Sequence, residues 1–71
     1  MQSFSLEGRP YITLDNLLKI EGWCESGGFA KQMIAAGQVK VNGEVELRKR
    51  CKITDGQIVE FNGQEIQVTS A

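Results

Sequence analysis

At 71 residues the chain has room for one small domain, expected here to span residues 1–71, and a fold of that size buries only about 60% of the surface its unfolded form exposes. It contains no histidine, so no Ser-His or Cys-His nucleophilic pair can form, and its nine acidic residues show no spacing that argues for a catalytic pair. A non-enzymatic protein is therefore expected, and a formal net charge of −1 argues at first sight against a polyanionic partner.

No apolar run approaches the ~18 residues of a membrane span, and the opening MQSFSLEG lacks the basic start and apolar middle of a secretory signal. The expectation is a cytoplasmic protein with no membrane partner. Cys24 and Cys51 lie far apart and belong to no CxxC pair. They read as small apolar filler, with no metal and no cofactor expected.

Along the chain, Phe4 and Leu6 alternate in a short edge strand that ends at the breaker Gly8-Arg9-Pro10. Thr13 then serves as N-cap to LDNLLKI, with Asp15 in the first turn, where the helix dipole favours negative charge. Leu14, Leu17 and Leu18 follow the i, i+3, i+4 rhythm of a buried face. Gly22 suits the left-handed stop, and Trp23 folds back onto the last turn. A second helix runs from the N-cap Ser26 to the stop at Gly37. Phe29 and Met33 share one stripe of it, and Ala30 and Ile34 the adjacent one. Lys31 lies on the side of Gly27 and Gly28.

From Val39 the apolar period changes to two. VKVNGEVEL and QIVEFNGQEIQV each carry Asn-Gly between extended runs, the strongest short hairpin signal. In the second, a two-residue turn at Asn62-Gly63 pairs Val59 with Ile66 and gives Val59, Phe61, Ile66 and Val68 one face. In the first, the same turn at Asn42-Gly43 puts Val39 and Val41 on the face of Glu44 and Glu46. A one-residue slip reverses every side chain, so a bulge or looser loop is expected there, and Glu44 to Lys52 is not expected to form a clean strand. The whole reads as an α+β domain, two short helices packed on a small, mostly antiparallel sheet.

The charge is strongly polarised along this order. Residues 26–52 hold six basic and two acidic side chains, whereas the rest of the chain holds two basic and seven acidic ones. Arg48, Lys49, Arg50 and Lys52 fall within five positions. The helix start Ser26-Gly27-Gly28 costs about 1 kcal/mol per glycine in helix propensity. In exchange it leaves bare N–H groups that a phosphate can approach, with the positive end of the dipole behind them. Lys31 follows one turn later on the same side.

Ser26 to Gly43, SGGFAKQMIAAGQVKVNG, resembles the central motif of the S-four RNA-binding domain, named after ribosomal small-subunit protein four. That motif runs Ser-Arg-x-x-Ala-Arg-x-x-Ile-x-x-Gly-x-Val-x-Val-Asn-Gly, preceded by Leu-Asp-x-x-Leu. LDNLL, Ser26, Ala30, Ile34, Gly37, Val39, Val41, Asn42 and Gly43 all fit it, and DGQIVEF resembles the later Gly-Asp-x-Ile segment with Gln57 in the usual Asp place. The resemblance covers roughly residues 12–61. It implies the αL motif, a helix pair on a small sheet, and a non-catalytic, stand-alone domain of the small bacterial type.

It further implies an RNA-facing groove between the start of the second helix (Ser26, Gly27, Gly28, Lys31) and the RKRCK loop (Arg48, Lys49, Arg50, Lys52), with Lys40 and Arg9 as outer contacts. The family arginine after the serine is Gly27 here, and the second arginine is Lys31, so the loop carries more of the binding. The implied partner is structured RNA, ribosomal or transfer RNA, with the ribosome as a further candidate. The alternatives are a module docking an acidic protein and an accessory subunit positioning RNA for an enzyme. Trp23, Phe29 and Phe61 are expected in the core, and Tyr11 is the one aromatic left open as a stacking platform.

Overall fold

Alternating apolar side chains at Val39 and Val41, Val59 and Phe61, and Ile66 and Val68 give three strands one shared apolar face. In the computed structural model, which describes residues 2–70, those strands form the centre of a five-stranded sheet. Its strands are β1 (Gln2–Ser5), β3 (Val39–Val41), β4 (Glu44–Val45), β6 (Ile58–Phe61) and β7 (Gln64–Thr69), in the order β1-β7-β6-β3-β4. β1 runs parallel to β7 at one edge, and the remaining pairs are antiparallel. A second, two-stranded sheet joins β2 (Ile12–Thr13) to β5 (Lys52–Ile53). Met1 and Ala71, which the expected domain includes, lie outside the described residues.

Helices α1 (Leu14–Ile20) and α2 (Gly27–Ala35) cover the apolar face of the sheet. Leu14, Leu17 and Leu18 are fully buried, as are Ala30 and Ile34, so each helix meets the core through the narrow stripe its sequence period sets out. Ser26 caps α2, its hydroxyl accepting from the Phe29 N–H at 3.1 Å. Gly22 and Gly37 end the two helices at φ 76° and 79°, values at which a Cβ would be strained. The expected α+β architecture is present, with the helices in one layer and the sheet in the other. No helix among the described residues is long and apolar enough to cross a membrane.

Three local expectations need correction. The first hairpin contains no bulge: Val41 pairs with Glu44 and Lys40 with Val45 across a plain two-residue turn. Val39 and Glu46 therefore do face the same side. The geometry is tolerated because β4 is a two-residue edge strand, where Glu44 stays exposed. Second, Thr13 takes the N-cap position of α1, but its side chain makes no capping hydrogen bond. Third, Phe29 is 41% exposed rather than in the core. Ala30 and Ile34 are the fully buried residues that seat α2 on the core, with Met33 packed partly buried beside them, and Phe29 in the first turn lies on the flank of that contact. Trp23 and Phe61 do meet the core, their ring centroids 6.5 Å apart.

Candidate nucleic-acid interface

The N-terminal turn of a helix has N–H groups with no intrahelical partner. In α1 two of them are satisfied by the basic loop. The Leu14 N–H donates to the Cys51 carbonyl at 2.8 Å and the Asp15 N–H to the Lys49 carbonyl at 3.2 Å. This substitutes for the missing Thr13 cap. It also fixes residues 49–51 by their backbone, while the Lys49 and Arg50 side chains stay exposed. Just past the loop, Lys52 pairs with Thr13 in the small sheet. Its ammonium stands 5.0 Å from the centroid of the Tyr11 ring.

The upstream half of the loop is organised by one acid. Glu46 accepts from the Arg48 backbone N–H at 2.9 Å, and its two oxygens take the Arg48 Nε and Nη2 at 2.9 and 3.1 Å. Such a fork-to-fork pair is the strongest geometry available to this couple. The side-chain bond from Arg48, assisted by its backbone N–H, holds the Glu46 carboxyl down at about 2. Arg48 Nη2 also approaches the buried Cys51 Sγ at 3.4 Å. Burial first, and then the Glu46 charge, push the Cys51 thiol up, so it stays protonated and unreactive. Cys24 is buried too, and both thiols are free.

α2 packs against α1. Lys31 reaches back to Asp15, Nζ to Oδ2 at 4.0 Å. The second Asp15 oxygen is buried with no hydrogen-bond partner among the described residues. Asp15 thus joins the two parts of the surface: its N–H holds the loop and its carboxylate faces Lys31. One turn before Lys31, an added Cβ at Gly27 would meet nothing within 4 Å, and at Gly28 only the Ser26 Oγ at 3.8 Å. Packing does not require glycine at either site. What the two glycines provide is bare backbone.

Of the expected site residues, Lys31, Lys49, Arg50 and Lys52 therefore gather around the first turn of α1, and Ser26, Gly27 and Gly28 lie one turn up α2 from Lys31. Arg48 belongs to the same loop, with its guanidinium committed to Glu46. Lys40 is elsewhere. Flanked by the buried Val39 and Val41, it projects from the open face of the sheet, where its partner across β6 is Glu60. Arg9 is held against Leu6 by Nε to the carbonyl at 2.9 Å, its guanidinium 5.7 Å from the Phe4 centroid.

The roles of Asp15 and Glu46 were not read from the sequence. In the sequence Asp15 has a local explanation as a first-turn acid, and Glu46 falls in a segment not expected to form a clean strand. A carboxylate two residues before an arginine in an extended segment was the available signal, since i and i+2 share a side there.

Comparisons with known proteins converge on this architecture. The S4 domain matches residues 4–69. The protein YbcJ of Escherichia coli (strain K12) is 57% identical over 70 residues, 99% of this chain and 100% of that one. The solution structure of YbcJ from E. coli superposes with a TM-score of 0.75, covering 99% of this chain and 89% of that chain. That structure is described as revealing an αL motif involved in RNA-binding. A probable ribosome maturation protein, RlbA of Bacillus subtilis (strain 168), is 38% identical over 52 residues, 73% of each chain. The chain belongs to the S4 domain family.

Proposed function

We propose that this protein binds structured RNA, without catalysis, through the cationic surface built around the first turn of α1. The observation that carries the reading is the pinned loop. Lys49 and Arg50 have no ion-pair partner among the described residues. They extend from backbone that two hydrogen bonds fix to α1, so little ordering entropy remains to oppose a contact. Lys31, held only loosely by Asp15, faces the same helix turn from α2. The Gly27 and Gly28 N–H groups, without a partner among the described residues, supply a third contact to phosphate. A-form RNA offers a regular phosphate array across a wide minor groove, which such a surface reads by shape and charge.

The αL motif described for YbcJ supports RNA as the partner class. The name of RlbA favours ribosomal over transfer RNA, and with it a cytoplasmic, ribosome-associated role. The protein serves as a binding domain, with Arg48 and Glu46 shaping the loop and Lys40 outside the main contact.

The test is the salt dependence of affinity for a blunt RNA duplex. With ~5 phosphates neutralised, log K falls against log salt with a slope of roughly −3.5 to −4.5. The double variant K49A/R50A flattens that slope by about 1–2 units with an unchanged circular dichroism spectrum. An unaltered slope would remove the loop from the interface.

A further inference from the structure

Beside the cationic loop lies an open recess of about 400 Å³ whose walls include Arg9, Tyr11, Thr13, Asn16 and Arg50. Phosphate binding alone leaves it unexplained. We propose that this recess is a subsite for one unpaired nucleotide of the bound RNA, its base stacked on the Tyr11 ring; the inference rests on the RNA reading above. Four observations carry it.

The recess is continuous with the phosphate-binding surface. Arg50 lines it and also lines the neighbouring depression formed by Arg48, Cys51 and Lys52. A strand tracking along the loop therefore arrives at the recess with a guanidinium already at its edge. Among the described residues the lining contains no carboxylate, while two guanidiniums belong to it. One of them, Arg9, is held in place by its bond to the Leu6 carbonyl and by the Phe4 ring. The charge suits an anionic ligand.

Tyr11 is 38% exposed and lines the recess. The Lys52 ammonium stands 5.0 Å from its ring centroid, and the part of the ring that lines the recess is where a second flat group can meet it. Asn16, exposed in the first turn of α1, adds an amide that can donate and accept at a base edge, and Thr13 adds a hydroxyl. An aromatic face, edge-reading polar groups and flanking guanidiniums are the chemistry that recognises a single nucleotide.

That nucleotide is unpaired for a geometric reason. Inside a duplex both faces of a base are covered by its neighbours, so a protein ring stacks only on a base at an end, a bulge or a loop. The volume is adequate for one such group, within the roughly 300–1,000 Å³ typical of small-ligand sites.

The experiment compares a blunt RNA duplex with the same duplex carrying one bulged adenosine. The wild-type protein favours the bulged duplex by roughly 5- to 150-fold, the range of one base-aromatic stack. Tyr11→Ala removes that preference and keeps the salt slope, while Tyr11→Phe retains both. Asn16→Ala, at an exposed helix position, weakens the preference without touching affinity for the blunt duplex. Tight binding of both duplexes with no preference overturns the subsite and leaves the RNA reading standing. An equal loss on both probes in Tyr11→Ala also overturns it, by making the ring a general contact. Binding of neither probe at low salt sinks the RNA reading, and the subsite with it.

Discussion

The two Asn-Gly hairpins begin as near copies and end as different objects. Asn42 and Gly43 have φ of 52° and 84°, Asn62 and Gly63 of 54° and 79°, and both turns close two-residue loops in plain register. After the second turn the chain supplies Ile66 and Val68 to the apolar face, and β7 runs for six residues. After the first it supplies Glu46 and Arg48 to the equivalent positions, and β4 stops after two. The turn selects pairing geometry, but burial decides how far pairing continues. The abandoned strand becomes the cationic loop. In this fold a strand that cannot bury its own side chains releases the segment that carries the basic surface.

The largest effect should come from making the second hairpin resemble the first. Ile66→Ala empties a fully buried position in the central packing and costs about 2–5 kcal/mol. In a domain of ordinary stability that is a large share of the total. Val45→Ala, on the half-exposed edge strand, stays within about 0.5 kcal/mol. Urea unfolding midpoints compare the two directly. A similar cost for both would mean that β4 contributes to the core after all.

A sharper contrast is available at the turns themselves. Replacing either asparagine by alanine forces a residue with a Cβ and no local hydrogen bond into the left-handed region, a cost common to both sites. Asn42 does something more: its Oδ1 accepts from the Ile58 N–H at 2.9 Å and ties the first turn to the start of β6. No such bond joins Asn62 to a neighbouring strand among the described residues. Asn42→Ala is therefore expected to exceed Asn62→Ala by about 1 kcal/mol, the worth of one hydrogen bond. Equal losses would reduce both residues to turn formers.

How much of this was readable in advance follows the range of the forces involved. Helix stops at Gly22 and Gly37, the Ser26 cap and the Val59–Ile66 register are local or nearly so, and each carries its own signature in a few residues. The conflict between Val41 and Glu44 was legible too, yet its resolution was not. A bulge and a short edge strand both relieve it, and only the position of β4 at the sheet edge selects the second.

The β2–β5 pair was invisible because two-residue strands carry no periodic pattern. With it went the loop's attachment to α1, since backbone carbonyls at Lys49 and Cys51 leave no trace in side-chain identity. The charge map located the loop, and the fold determined which of its cations are free. Phe29 shows the opposite error. Its helical spacing suits a core residue, yet on that stripe it is Met33, one turn further along, that packs against the core, and Phe29 in the first turn stays exposed.

The smallest expected effect separates the two arginines of the loop, Arg48 and Arg50. The Glu46 carboxyl, ordinarily near 4.5, is held at about 2 by Arg48 in the folded protein. A depressed carboxylate contributes stability that is complete above pH ~4.5 and is lost as pH falls toward ~2, because across that window the unfolded chain binds the proton first. Glu46→Gln should therefore flatten the dependence of melting temperature on pH in that interval and leave it unchanged near neutrality. The pair is solvent-exposed on the Arg48 side, so the change in stability is modest.

Its effect on RNA is of opposite sign. A free guanidinium in place of a neutralised one adds a phosphate contact, steepening the salt slope by roughly 0.7–0.9 of a unit. Arg48→Ala in the otherwise unaltered protein should leave that slope close to the wild-type value. Flattening in Arg48→Ala as large as in Arg50→Ala would mean that phosphate already outcompetes Glu46. The loop would then be reorganised on binding rather than prepared for it.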